Sequence, residues 1–414
     1  MPDMRERFSV FDELEAPDLW EESRARTPAS TTAPTAVRRS LIAIVALAVF
    51  AAAALFAYQG FRSRRVAEPA SRVTNGSITF LGDDYTGWLV EPNGSNLREI
   101  VRPDDVAYAV PVDWSPDGST VAMYGYLKGH AGDYCILLAD SNGSNMRPLT
   151  AYLFAGEGEN TQGEPRWSPD GTVLAFTNDS NDPARQGLYL MAPAGTDVRK
   201  IAEGGFPSWS PDGQRLVYQA AGSGGTDLYS VAKDGTQRTN LTRTAQAGED
   251  EPVWSPDGQH IAYIGEVDGE SQVFVMNADG SGQHAVTDIR NDGIGGYSPV
   301  WSPDGTTIAF EVYQDDQWDL YTVRGDGTDL VHLTNDPGDE HTPRWAPDGT
   351  AIAFTRSVKP ESVVVYGQFD IYTVSANGTD ETKVTEGAGV AQGALAWQPQ
   401  IDVSSETHMP SPSE

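Results

Sequence analysis

The pentapeptide Trp-Ser-Pro-Asp-Gly recurs along this chain, and few folds accommodate one tight turn repeated at so steady an interval. It begins at Trp114, Trp167, Trp209, Trp254 and Trp301, returns as the near copy WAPDG at Trp345, and ends in the decayed WQPQ at Trp397. Successive tryptophans stand 53, 42, 45, 47, 44 and 52 residues apart. That period is the length of a four-stranded propeller blade. Each unit reads alike: a strand ending in Trp, the turn, an apolar run such as Ile308-Ala309-Phe310, a second such as Leu320-Tyr321-Thr322-Val323, a Gly turn, and a last strand near Leu333-Thr334.

The turn residues fit their places. In Ser-Pro-Asp-Gly the ring of Pro303 presets φ at the second position, Asp304 tolerates the third, and Gly305 takes the positive φ of a bulged hairpin exit. Asn142-Gly143, Asp234-Gly235, Asp279-Gly280, Asp326-Gly327 and Asn377-Gly378 supply a second hairpin turn later in the unit. Two tight turns per period make a meander. A lone blade cannot bury both faces of its sheet, so blades stack radially and the recurring Trp fills the space between them. Three strands over Ile78 to Ile100 precede the first Trp unit, and the stretch at Trp397 supplies their missing fourth. Closing the ring this way hides the sheet edges. The predicted fold is an all-β, seven-bladed β-propeller of four-stranded antiparallel blades over 76–401, with six or eight blades requiring a miscounted unit at one end. A single transmembrane α-helix is expected before it.

The W-S-P-D-G, I-A-F, L-Y-x-V and L-T series resembles the TolB-type (WD-like, PD-repeat) β-propeller, related to the propellers of prolyl oligopeptidases. The resemblance covers roughly Gly76 to Gln400 and implies a non-enzymatic binding platform, often for protein partners. The chain departs from that pattern before residue 76, where a tail and an apolar stretch stand in place of TolB's partner-docking N-terminal domain. A role in a Tol-Pal assembly is therefore not expected.

From Ser40 to Phe61 no residue is charged, and Leu41 to Tyr58 is almost entirely Ala, Leu, Ile, Val and Phe. As a helix these residues would span roughly 33 Å, about the hydrocarbon thickness of a bilayer. A cleaved signal is the competing account, but its charged leader would be unusually long. Arginines flank the stretch on both sides, at 24, 26, 38 and 39 and at 62, 64, 65 and 72, so charge leaves the orientation open. The expectation is a single-pass membrane protein with residues 1–39 cytoplasmic, a 62–75 linker, the propeller extracytoplasmic and 402–414 a polar tail. In the acidic N-terminal part, Phe8, Phe11 and Leu14 share a helical face and Pro17 starts a turn carrying Leu19 and Trp20. That pattern suits docking of a cytosolic partner, in the manner of a membrane anti-sigma factor, or an unspecific juxtamembrane tail.

The formal net charge of −31 excludes a nucleic-acid partner, since no stretch of Lys and Arg could neutralise a phosphate backbone. It favours cations or basic peptides, and a solvated acidic surface accounts for it as well. A single cysteine, Cys135, allows no internal disulfide. Tight turns claim one end of the propeller, so the irregular loops and the binding residues belong to the other. Those loops are acidic: Glu157, Glu159 and Glu164 before Trp167; Glu249, Asp250 and Glu251 before Trp254; Asp336, Asp339, Glu340 and His341 before Trp345. They are expected to crowd the mouth of the central channel and to take a protein, a peptide or a glycan. Calcium is conceivable there, although no D-x-D-x-D-G spacing occurs and no metal site or cofactor is assigned. No G-x-S-x-G, H-E-x-x-H, P-loop or C-x-x-C pattern is present, and the six histidines fall on different elements. On that ground the chain is expected not to be an enzyme, a propeller-type lyase or hydrolase being the remote alternative.

Overall fold

A computed structural model describes residues 73–82, 85–129, 133–151, 153, 160–222, 224–244, 248–288, 296–357, 369–387 and 390–401. The expected membrane stretch 40–61, the tail residues Phe8, Phe11, Leu14, Leu19 and Trp20, and Glu157 and Glu159 lie outside them. Among the described residues there is no helix, and hence none long and apolar enough to cross a membrane.

Seven four-stranded antiparallel blades form the ring. Five are separate sheets, and the remaining eight strands are two blades bridged by one pair, Phe369 and Val390. Blade 1 takes its innermost strand, Val390–Ile401, from the end of the chain and the other three from its beginning, starting with Val73–Gly82. Ile78 pairs with Trp397 and Phe80 with Leu395, so the two ends of the propeller sequence zip together at Trp397 as expected. The innermost strands of blades 2 to 7 are Val106–Trp114, Asn160–Trp167, Gly205–Trp209, Asp250–Trp254, Tyr297–Trp301 and Glu340–Trp345.

Each recurring Trp is buried between blades. The indole of Trp209 donates to the Arg166 carbonyl at 3.2 Å, Trp301 to Val253 at 3.2 Å and Trp345 to Val300 at 3.3 Å, in each case one blade back. The Leu-Thr dipeptide is also explained. Thr150, Thr242, Thr287, Thr334 and Thr385 each accept, through Oγ1, a third-strand amide 14 residues earlier, sealing the outer strand against the blade. All six intact turns leave their Gly at positive φ, 72° at Gly305. No side chain but hydrogen sits there without strain.

Candidate functional site

The end of the ring opposite the Ser-Pro-Asp-Gly turns carries the blade-to-blade loops and the second-to-third-strand connections. Here the innermost strands of blades 3 to 7 each skip register just before the Trp, between Gly163 and Arg166, Gly205 and Ser208, Asp250 and Val253, Tyr297 and Val300, and His341 and Arg344. The residue three before each Trp takes positive φ: Glu164, Phe206, Glu251, Ser298 and Thr342, at 51° to 56°. Such bulges free a backbone amide from the ladder and re-aim it. Carboxylates of the preceding blade take three of the freed amides. Phe206 N donates to Glu164 Oε2 at 3.1 Å, Ser298 N to Glu251 Oε2 at 3.0 Å, and Thr342 N to Glu311 Oε1 at 2.9 Å.

Sequence reasoning placed the acidic residues in loops, whereas the structure brings most of them inside the ring. Glu164, Glu249, Glu251, Glu340 and His341 are buried, and all but Glu249 lie within innermost strands. Glu249 accepts from the Thr242 and Thr244 hydroxyls at 3.0 and 2.6 Å. Glu340 accepts from Arg356 Nε at 2.6 Å, and the same guanidinium reaches Glu381 and Asp336. Asp339 accepts from the Trp318 amide at 3.2 Å. A bulge cannot be read from composition, and neither can an amide one blade away.

Two arginines missed by sequence reasoning balance this interior. Arg166 and Arg344 each stand immediately before a Trp, a repeated offset that could have flagged them. Both are almost wholly buried. Arg344 donates to the Leu395 and Pro343 carbonyls at 3.0 and 2.6 Å, and Arg166 to the Pro165 carbonyl at 2.9 Å. They belong to blades 3 and 7, and the charge of Arg166 adds to burial in lowering Arg344. Burial lowers Arg344 to about 9 and Arg166 to about 10, against the pull of nearby carboxylates. Burial likewise pushes Asp113 and Glu164 up to about 7, despite Arg166, and Asp250 to about 6. Glu251, buried beside Asp250 and Glu311, is raised further. These carboxylates and arginines are buried together, and burial favours their neutral forms.

His341 Nδ1 lies 2.8 Å from Glu311 Oε2; a carboxylate accepts, so Nδ1 donates, and in the neutral imidazole Nε2 then presents a lone pair. No described residue bonds Nε2. The imidazole is framed by Trp318, with ring centroids 5.3 Å apart, and by Phe369 at 6.0 Å. Tyr297 and Tyr313 pack on Trp318 at 5.3 and 5.2 Å. His341, expected in a loop at the channel mouth, is thus buried and oriented, with Glu311, 30 residues away in sequence, as its partner. Cys135 offers no nucleophile here, since burial pushes its thiol up to about 12. Among the described residues no group of three or more His, Cys, Asp or Glu side chains is placed to hold a metal ion.

Comparison with known proteins fits this architecture. The family model described as TolB beta propeller domain matches residues 203–296. The Tol-Pal system protein TolB of Alcanivorax borkumensis is 31% identical over 132 residues, covering 30% of this chain and 29% of that protein. Residues 203–296 of the ring are thus of the TolB propeller type. The TolB-type repeat also aligns with the uncharacterized peptidase YuxL of Bacillus subtilis, 31% identical over 132 residues, 29% of this chain and 19% of that protein. The chain spans less than a third of the length of these curated relatives. Among solved structures, a puromycin hydrolase mutant complexed with PGG superposes at TM-score 0.58 and 15% identity, over 80% of this chain and 56% of that one. An oligogalacturonate lyase in complex with manganese superposes at 0.53 and 16% identity, over 77% and 86%. At such identities the likeness is one of fold. The expectation that the chain is not an enzyme is corrected by these findings, because proteins named peptidase, hydrolase and lyase share this propeller. Missing motifs excluded familiar active sites and could not exclude one assembled from separate blades.

Proposed function

We propose that this TolB-type propeller captures a protein or peptide segment on its loop-bearing end, at the blade 6 and 7 surface around His341. A single observation carries the reading: Trp318 and Phe369 frame an imidazole whose Nδ1 is held by Glu311, so that an oriented acceptor stands among aromatic rings. Rings beside a fixed polar atom are the usual anchors of binding surfaces. Tyr313, 51% exposed, extends the apolar surface outward. Asp316, 3.3 Å from the Tyr313 hydroxyl, and Asp339, bonded to the Trp318 amide, bring carboxylates to this surface, which favours a segment bearing Lys or Arg over a neutral glycan. Peptides selected from a displayed random library on the immobilised full-length chain test this. Trp318→Ser combined with Tyr313→Ser is expected to weaken the selected peptides at least about tenfold. Equal capture by that variant would remove this surface from the reading.

A second reading rests on the same imidazole. A carboxylate-oriented histidine with a bare Nε2 has the arrangement of a general base, and proteins of this fold include a hydrolase and a lyase. It predicts product release from labelled peptides or oligosaccharides that His341→Ala abolishes. Turnover unaffected by His341→Ala would end it. We propose in addition that residues 40–61 tether the propeller to a membrane, with the propeller outside and Phe8 to Trp20 available to a cytosolic partner. A reporter fused after Glu414 that is active only in the cytoplasm would overturn that arrangement.

A further inference from the structure

Five tyrosines of blades 1 and 2 gather at the same end of the ring, away from His341. Tyr85 lies between the second and third strands of blade 1, Tyr108 opens the innermost strand of blade 2, and Tyr124, Tyr126 and Tyr134 border the second-to-third connection of blade 2. Tyr108 is the hub. Its ring centroid is 5.6 Å from Tyr85, 5.5 Å from Tyr126 in a stacked pair, 6.0 Å from Tyr134 and 6.5 Å from Tyr124. Tyr85 is 49% exposed, and the other four are half-buried. The rings pack against one another in a continuous cluster.

Elsewhere in the ring a cation of the chain itself covers such a surface. Arg238 lies 4.1 Å from the centre of Tyr229, Arg356 4.5 Å from Tyr372, and the His332 ring lies parallel to Tyr321 at 4.3 Å. Among the described residues no Lys or Arg lies over any of the five tyrosines. Arg102, close to Tyr108 in sequence, donates instead to the Ala107 carbonyl at 2.7 Å and the Thr86 hydroxyl at 2.9 Å. Ring faces are themselves negative. Among the described residues no cation meets these faces, and a cation is what they attract.

We infer that the five-tyrosine platform seats an arginine side chain of the captured segment. A planar, weakly hydrated guanidinium stacks on aromatic faces better than an ammonium, and Arg238 and Arg356 already show the contact within this molecule. The inference rests on the loop-bearing end being a peptide surface, but its test does not pass through Trp318 or His341. The intact chain, labelled with 3-fluorotyrosine, is titrated with N-acetyl-arginine amide and with its neutral isostere, N-acetyl-citrulline amide. Saturable fluorine shifts at Tyr85 and Tyr126, assigned by Tyr→Phe variants, are expected with the arginine amide and at least about tenfold weaker binding with citrulline. Tyr85→Phe should keep the affinity, and Tyr85→Ser with Tyr126→Ser should abolish it. Equal titration by citrulline, or an unchanged response in the double Ser variant, would overturn the inference. Loss here with capture at Trp318 intact would refute the platform alone; loss at Trp318 with arginine binding intact would refute only the other surface.

Discussion

At the turn end of the propeller, Asp304 Oδ1 accepts from the Ser302 hydroxyl at 2.6 Å and from the Thr306 amide and hydroxyl at 3.0 and 2.9 Å. Asp117, Asp170, Asp212 and Asp257 repeat the arrangement. At the loop end, Glu164 and Glu251 reach out of their own blade to a neighbour's bulged amide. The same residue type is therefore used in two ways: within five residues at one end, and across blades at the other. Burial raises the turn carboxylates Asp117 and Asp170, but hydrogen bonds from Ser115 and Ser119 lower the first, and those from Ser168 and Thr172 bring the second down to about 2. The axial ones are held up near 7. Local chemistry makes the turn end rigid and polar-satisfied, whereas the loop end stores unneutralised groups that a ligand can engage.

The sharpest way to break this contrast is to remove one axial charge. Arg344→Met removes the cation that faces Glu251 and Glu311, and a loss of about 3–5 kcal/mol is expected from urea unfolding midpoints. If the loss is within about 0.5 kcal/mol, the axial cluster is not a coupled unit. At the turn end the most sensitive position is Gly118, where a Cβ would fall 1.9 Å from the Pro399 carbonyl oxygen and φ is 69°. Gly118→Ala is expected to cost about 2–4 kcal/mol by strain and overpacking at the ring closure. Gly305→Ala, whose Cβ would meet Pro256 at an unstrained 3.6 Å, pays only for its positive φ, about 1–2 kcal/mol. Asp304→Ala loses local hydrogen bonds at an exposed turn and should cost about 1 kcal/mol.

A smaller effect separates the ends by pH. Asp113 and Glu164 titrate in the folded chain near 7, above the unfolded carboxylate value near 4. The folded state holds their protons between those limits, so their share of stability is present at pH 4 and lost as pH rises through 7. Asp170 behaves oppositely: its share is present above about pH 4 and lost as pH falls toward 2. Thermal melts of Asp113→Asn with Glu164→Gln should show a flatter dependence between pH 5 and 8 than the parent chain, on the order of pH units set by these shifts. An unchanged slope would place the titration elsewhere.

Much of the architecture was legible because its signals are local. The tryptophan, the Pro-Asp-Gly turn and the Leu-Thr ending each act within one blade, so periodicity alone reports them, and even the closing strand at Trp397 announces itself by its decayed motif. The candidate site was legible only in its address. His341, Asp339 and Glu340 were placed at the correct end of the ring, but His341 acquires its role from Glu311 and Trp318 in the blade before it. The five tyrosines run from residue 85 to 134 without any spacing that marks them as a group.

The sequence by itself determined the repeat, the turn chemistry, the blade count and the end of the ring where irregular loops collect, because these follow from backbone conformations that a few adjacent residues dictate. Only the tertiary structure decided which carboxylates and arginines are buried and which rings share a surface. Many of those contacts join separate blades, as between Glu164 and Phe206, 42 residues apart along the chain, and they exist only once neighbouring blades have packed together.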